Sequence, residues 1–240
     1  MKHLLTLSFF FLAFLTSVAQ SILVEYEEIQ AEHNIINHFD VWITDSVSTM
    51  IANDNNERVH LNEVPYLKHK KKGFSYRVES SSVEGVNYYV KDSLHNFKWM
   101  LLSDTATILK QKCLSAKTTF RGREYKVFYA PTIPVSDGPW KLGGLPGLIL
   151  EAKTVDGFTS WRATKLDLAY KGTYNCQNTS KYTYLDWKAY TEAYKKDLEK
   201  KIHQMRTNNT FKGVKIKYKI SSVEIFYPEL QINGLEVEID

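Results

Sequence analysis

The strongest candidate for binding chemistry is a group of two basic and three aromatic side chains: Arg121, Arg123, Tyr125, Tyr129 and Trp140. The two arginines lie two residues apart, so on a β-strand both side chains would project from the same face. Two guanidinium groups beside aromatic rings can hold a carboxylate or phosphate through charge-assisted, bidentate hydrogen bonds. The pattern therefore predicts a site for an anionic small ligand. The arginines can instead pair with nearby acids and fix loops in place, and these acids are Asp104, Asp137 and Glu151.

No recognisable catalytic motif accompanies this group. The sequence contains no paired-histidine helix motif, no Gly-x-Ser-x-Gly elbow and no phosphate-binding loop. We therefore predict no catalytic residue, no metal and no cofactor, with an unrecognised hydrolytic site near Arg121 and Arg123 as the alternative. The net charge of +4 lacks the concentrated basic footprint of a nucleic-acid-binding protein. We interpret a basic cluster at 68–72 as an exposed loop, with binding of an acidic partner or a lipid headgroup as the alternative.

The elements that must position these side chains are mainly β-strands. Apolar and polar residues alternate with a period of two, which is typical of strands with one buried face. The clearest runs are 22–26, 97–101, 125–129, 214–220 and 235–239. Fifteen tyrosines and twelve phenylalanines agree with this interpretation, because aromatic residues favour pleated, half-buried surfaces. Asn233 and Gly234 indicate a two-residue hairpin turn.

One segment has helical periodicity instead. After Asp186 the apolar residues recur every three or four positions, at Trp187, Tyr190, Tyr194, Leu198, Ile202 and Met205. This stripe predicts a helix at about 186–206, with Asp186 as its N-cap. We expect the stripe to cover the sheet, and a helix lying on a membrane surface is the alternative. The predicted fold is mainly β (α+β): a single antiparallel curved sheet or half-barrel packed against one long helix.

The most distinctive motif is a glycine-rich run made of Gly143, Gly144, Leu145, Pro146, Gly147, Leu148 and Ile149. Proline presets φ for the second position of a type II turn, and glycine takes the positive φ that the next position requires. We therefore predict a turn over 145–148. Leu148, Ile149 and Leu150 then predict a strand that is buried on both faces. The alternative is that the amides of Gly143 and Gly144 bind an anion.

With its surroundings, this motif resembles the GLPGLI family, which is named for the hexapeptide found here at 144–149. The similarity includes the segments 120–123, 129–134 and 138–141, and it is closest over 99–161. The resemblance implies an exported, functionally uncharacterised protein of Gram-negative bacteria, often found alongside outer-membrane transport components. It implies no catalytic residues, because the family has no agreed catalytic site.

The N-terminal residues 1–19 have the pattern of a secretory signal peptide. A basic start precedes an apolar run and small residues, so we predict cleavage after Ala19. The remaining residues, 20–240, are predicted to form a single domain without a transmembrane segment, periplasmic or associated with the outer membrane. In an oxidising compartment Cys113 and Cys176 can form a disulfide, and two unpaired thiols are the alternative.

Three functions are compatible with these patterns. The first is a non-catalytic binding or accessory protein of the cell envelope, which takes an apolar or anionic small ligand and works with an outer-membrane transporter or another envelope protein. This function predicts a deep apolar cavity between the sheet and the helix. The second is a periplasmic hydrolase, which predicts a cleft with titratable groups beside Arg121 and Arg123. The third is a purely structural envelope protein, which predicts a filled interior.

Overall fold

Most of the described chain is β-strand. The computed structural model describes residues 21–31, 34–53, 66–80, 85–172, 179–207, 215–218, 223–225, 227 and 235–238. The strands in these ranges are β1 (Ser21–Gln30), β2 (Ile35–Ile43), β3 (Val47–Ala52), β4 (Tyr66–His69), β5 (Phe74–Ser80), β6 (Asn87–Ser93), β7 (Met100–Ile108), β8 (Gln111–Phe120), β9 (Arg123–Ala130), β10 (Leu148–Thr154), β11 (Ser160–Tyr170), β12 (Thr183–Asp186), β13 (Lys215–Tyr218) and β14 (Leu235–Glu238). The α-helix in the same ranges, α1 (Trp187–Thr207), follows β12.

Twelve of these strands form one open sheet, in the order β12-β6-β5-β4-β3-β2-β1-β11-β10-β9-β8-β7. Its neighbouring strands are antiparallel, except that β12 and β6 run parallel. Strands β13 and β14 pair with each other in a separate antiparallel sheet. The prediction of a mainly β fold with one long helix is confirmed, and the single parallel pair makes the large sheet mixed.

The large sheet is strongly curved, as a contact between its two ends shows. Asp92 lies on β6, Arg121 directly follows β8, and eight strands separate β6 from β8 in the sheet. In a flat sheet these strands would lie about 40 Å apart, because neighbouring strands are spaced by about 4.8 Å. Arg121 Nη2 nevertheless lies 2.9 Å from Asp92 Oδ2. The sheet therefore curls into a half-barrel, as predicted.

The core fills the inside of this half-barrel. The alternating residues of β1 and β9 supply buried side chains as predicted, among them Tyr26 and Tyr125 with no exposed surface. Trp140, from the loop between β9 and β10, stacks on Trp161 of β11 with ring centroids 5.9 Å apart and planes 7° apart. The prediction that the run 97–101 shares one buried face is wrong for Leu101, which is 66% exposed on β7. This strand is at the edge of the sheet, where one side lacks a neighbouring strand to cover it.

The glycine-rich motif leads into a buried strand, but its turn differs from the predicted one. The first three residues of β10, starting at Leu148, have no exposed surface, as predicted. Gly144 has a positive φ of 86°, whereas Gly147 is not among the residues with positive φ. The predicted type II turn is therefore wrong. Gly147 is required for close approach instead, because an added Cβ would lie 2.7 Å from the carbonyl carbon of Ala130 and 2.9 Å from Pro131 N.

Helix α1 packs against the sheet near its β12 edge. The side chain of Asp186 accepts a hydrogen bond of 2.8 Å from the backbone N–H of Ala189, so the predicted N-cap is confirmed. Tyr190, Leu198 and Ile202 are buried, and the helix contacts β6, β12 and β14. The apolar stripe therefore faces the protein, as predicted. In the described part of the chain, no helix combines the length and apolar character needed to span a bilayer.

Several predictions fall on residues that the structure does not describe. They are the signal peptide at 1–19, the hairpin turn at Asn233 and Gly234, and the side chain of Met205. Cys113 is a buried thiol on β8, and Cys176 lies outside the described residues. The disulfide and the signal peptide therefore stay predictions.

Candidate functional site

Two adjoining features occupy the concave side of the half-barrel: a buried ionic network and a cavity. The network consists of five side chains from separate parts of the chain: Arg77, Asp92, Arg121, Lys141 and Glu224. Arg77 lies on β5 and Asp92 on β6, while Arg121 lies in the turn between β8 and β9 and Lys141 in the loop before β10. The side chains of Asp92, Lys141 and Glu224 are only 1–4% exposed.

The centre of the network is a square of two cations and two carboxylates. Arg121 Nη2 donates to both oxygens of Asp92 at 3.0 and 2.9 Å, and Nη1 donates to Glu224 Oε1 at 2.5 Å. Lys141 Nζ donates to Asp92 Oδ2 at 2.7 Å and to Glu224 Oε1 at 2.6 Å. Each cation thus bridges both acids, which is the pairing that buried charges need.

Further groups complete and cover this square. Arg77 Nη2 donates to the second oxygen of Glu224 at 2.8 Å. The indole ring of Trp187, the first residue of α1, lies over the network, with Arg121 Cζ 3.4 Å and Lys141 Nζ 4.5 Å from its centroid. His95 stands at the rim, where its Nε2 lies 3.0 Å from Arg121 Nη2. The helix therefore seals the network through one aromatic side chain.

The network and its burial lower the pKa values of Asp92, Glu224 and Lys141, for different reasons. Burial acts to raise the pKa of Asp92, but a hydrogen bond from His95 and the contacts of Lys141 and Arg121 hold that pKa well below its usual value. Burial opposes ionisation of Glu224 too, and the charges of Arg77, Lys141 and Arg121 lower its pKa. For Lys141, burial and the charge of Arg77 lower the pKa to about 8, despite both carboxylates.

The structure separates the two arginines of the predicted binding group. Arg121 and Gly122 form the turn between β8 and β9, both with positive φ, and Arg123 begins β9. Arg121 points into the network, whereas Arg123 pairs with Asp156 and its Cζ lies 4.0 Å from the ring centroid of Phe158. The prediction that both project from one strand face is wrong, because the turn lies between them. The two guanidinium groups therefore do not lie side by side, and the binding of an anion by this group stays a prediction.

The aromatic members of that group and the acids considered as its partners have other neighbours. Tyr125, Tyr129 and Trp140 are buried in the core, with the rings of Tyr125 and Trp140 6.2 Å apart. Each of the three acids pairs with a lysine or arginine outside the group: Asp104 with Lys126, Asp137 with Lys68, and Glu151 with Arg162. Lys68 is buried on β4, so its interpretation as part of an exposed basic loop is wrong.

A cavity of about 290 Å³ adjoins the network and shares Arg77 with it. Its walls are mainly apolar, and the aromatic and aliphatic side chains that line it include Phe39, Met50, Ala52, Tyr66, Trp140 and Trp161. Charged side chains are present at Glu28 on β1 and at Arg77 and Glu79 on β5. Mostly apolar walls with a few placed polar groups are typical of small-molecule sites.

Glu28 differs from the two other charged side chains of this cavity wall. Among the described residues, all of its hydrogen-bond partners are neutral. Its side chain accepts hydrogen bonds from Asn37 Nδ2 at 2.8 Å, Gln30 Nε2 at 3.3 Å and Thr159 Oγ1 at 3.2 Å. The residue is 5% exposed, and no cation within the described ranges forms an ion pair with it. Sequence reasoning missed Glu28, because it appears there as one acid among several in an alternating strand.

The network and the cavity differ in what they can do chemically. In the network every carboxylate is held by at least two cations, and Trp187 covers them. A general acid or base must reach its substrate at hydrogen-bond distance, and in this structure the side chains of Asp92 and Glu224 are buried and paired with cations. No group of three or more metal-ligating side chains occurs within the described ranges. The site is thus a small cavity, partly open to solvent, on the concave side of a β-rich half-barrel whose ends are joined by buried ion pairs. None of the residues that line it belongs to α1, so it is not the predicted cavity between the sheet and the helix.

Comparisons with known proteins agree with this architecture. A family described as "Protein of unknown function (Porph_ging)" matches residues 111–151, which include β8, β9 and the glycine-rich motif. No curated protein matches the chain. Two structures of PNGF-II, in space groups C2 and P21, are similar with TM-scores of 0.54 and 0.55 at 19% and 18% identity, over 75% of this chain. The chain spans about a third of the length of PNGF-II, so this likeness concerns the fold.

Proposed function

We propose that this protein is an exported, non-catalytic binding protein of the cell envelope that holds a small ligand in the cavity beside Trp140 and Trp161. The single observation that carries the proposal is the cavity of about 290 Å³, which combines aromatic walls with the buried carboxylate of Glu28. Association with an outer-membrane transporter or another envelope protein belongs to the same proposal. It is supported by the signal-peptide pattern at 1–19 and by the resemblance to the GLPGLI family.

The volume of the cavity limits the size of the ligand that it can hold. Pockets for drug-sized molecules have volumes of about 300–1,000 Å³. A cavity of about 290 Å³ lies at the lower end of this range, so it suits a compact molecule better than a lipid chain. A half-barrel that carries lipids would need a longer apolar channel.

The two alternative functions have less support. A hydrolase near Arg121 and Arg123 needs titratable groups that are open to substrate, whereas the acids beside Arg121 are buried and paired. Arg123 lies elsewhere, against Asp156 and Phe158. A purely structural protein would need no such cavity, whereas this one combines aromatic walls with the buried carboxylate of Glu28.

Filling the cavity tests the proposal. Ala52, the last residue of β3, lines the cavity, so Ala52→Leu places a larger side chain within it. Ala169→Leu on β11 is a matched control, because Ala169 is exposed and does not line the cavity. The mature chain is screened by thermal shift against small amines, amino acids, sugars and carboxylates, and calorimetry confirms each hit. A bound ligand stabilises the folded state by mass action.

We expect at least one compound to raise the melting temperature of the wild-type chain and of Ala169→Leu, but not that of Ala52→Leu. The proposal is wrong if no compound stabilises the wild-type chain, or if every stabilising compound acts equally on Ala52→Leu.

A further inference from the structure

We infer that the ligand of this cavity is a small organic cation whose ammonium group binds at Glu28. The inference rests on the proposed function and names the ligand class for the same cavity. It follows from the hydrogen bonds of Glu28, from the charges that line the cavity and from the aromatic walls.

Among the described residues, the hydrogen-bond partners of Glu28 supply no positive charge to compensate its carboxylate. A carboxylate offers about four lone-pair positions, and three are used by the side chains of Asn37, Gln30 and Thr159. All three donors are neutral. A buried carboxylate is stabilised by a positive charge that also donates a hydrogen bond. An ammonium group in the cavity would supply both at the remaining position.

The other charged groups of the cavity wall do not compete for this role. Arg77 pairs with Glu79 and with Glu224, so its positive charge is matched by two carboxylates. Among the described residues, Arg77 pairs with these two carboxylates and not with Glu28. With two acids and one base among the lining residues, the cavity favours a cation over an anion.

The aromatic walls favour the same class of ligand. Four aromatic side chains line the cavity: Phe39, Tyr66, Trp140 and Trp161. The faces of such rings attract organic cations, and aromatic cages around ammonium groups are a recurring use of this attraction. Phe39 lies two residues after Asn37 on β2, and Asn37 is the cross-strand partner of Glu28. An aromatic ring and the carboxylate therefore belong to the same face of adjacent strands.

Three probes of matched shape and different charge test the inference: 2-phenylethylamine, 2-phenylethanol and phenylacetate. Calorimetry at neutral pH measures the Kd of each for the wild-type mature chain. A charge-assisted hydrogen bond is expected to make the amine bind about ten-fold or more tightly than the alcohol, with phenylacetate the weakest. In Glu28→Gln the amine should lose this advantage over the alcohol. Glu27→Gln, a change of the same type one residue away on the opposite face of β1, should keep it.

The outcomes separate this inference from the proposed function. The inference is wrong if the alcohol or phenylacetate binds the wild-type chain as tightly as the amine, if none of the probes binds, or if the amine keeps its advantage in Glu28→Gln. The ranking on the wild-type chain needs no variant, so it decides the matter even if Glu28→Gln does not fold. If Ala52→Leu abolishes binding of all probes without a preference for the amine, the cavity is a binding site and only the ligand class is wrong. Undiminished amine binding by Ala52→Leu would instead contradict the cavity as the site.

Discussion

Arg121 and Asp92 come from opposite ends of the twelve-stranded sheet, yet Arg121 Nη2 and Asp92 Oδ2 lie 2.9 Å apart. Lys141 and Glu224 join the same contact, so four separate segments hold the two ends of the half-barrel against each other. Arg77 belongs both to this network and to the cavity wall. The ion pairs that fix the curvature of the sheet therefore also shape the proposed ligand site.

Removing one acid of the network should strongly destabilise the fold. In Asp92→Asn, Arg121 and Lys141 lose one of the two carboxylates that they share, and both cations remain buried. Breaking a buried ion pair by removing one partner costs about 3–5 kcal/mol. Urea denaturation should show this decrease in the free energy of unfolding.

The matched control is an exposed ion pair. Glu151→Gln removes the partner of Arg162, whose side chain is 58% exposed, and should cost about 0–1 kcal/mol. Equal effects of Asp92→Asn and Glu151→Gln would show that the network contributes no more than a surface pair.

The sequence predicts features that depend on neighbouring residues and misses those that depend on distant ones. The alternation around Tyr26 and the N-cap at Asp186 are local patterns, and both are found. The hydrogen bond between Arg121 and Glu224 joins residues 103 positions apart, and no spacing rule indicates it. The separation of Arg121 from Arg123 did have a signal. Gly122 lies shortly before the alternating run 125–129, and glycine is typical of two-residue hairpin turns because it takes a positive φ.

Acid should destabilise the protein through the same network. Asp92 and Glu224 have pKa values below their ordinary ones in the folded state, so the unfolded chain binds protons on them more readily. Their contribution to stability is complete above the unfolded pKa of about 4 and is lost as the pH falls below it. The free energy of unfolding, measured in urea at a series of pH values, should decrease below about pH 4.

Asp92→Asn provides the comparison for this acid dependence. Because this variant lacks one of the two titrating groups, its stability should vary less steeply with pH than that of the wild-type chain. Identical slopes would indicate that other carboxylates account for the acid sensitivity.

Gly143, the first residue of the glycine-rich motif, should tolerate substitution by alanine better than Gly147 does. In Gly147→Ala the new Cβ would lie 2.7 Å from the carbonyl carbon of Ala130, so the backbone must shift. Overpacking of this kind costs about 1–3 kcal/mol. In Gly143→Ala the nearest atom, Ser136 O, is 3.4 Å away, so the change should be small. Thermal unfolding of both variants measures the difference, and equal melting temperatures would contradict the close-approach explanation.

Raising the pH above neutral should increase the contribution of Lys141 to the free energy of unfolding, whereas acid decreases the contribution of the two carboxylates. Lys141 has a folded-state pKa of about 8, whereas an unfolded lysine titrates near about 10.4. Between these values the unfolded chain binds more protons on this residue than the folded chain does, so its contribution to the free energy of unfolding rises with pH. Lys141→Met lacks this titration and serves as the reference. Urea denaturation of both proteins between about pH 7 and 10 should show the wild-type stability rising relative to the variant, by at most about 1.4 kcal/mol per pH unit. Parallel curves for the two proteins would mean that Lys141 keeps an ordinary pKa because the two carboxylates offset its burial.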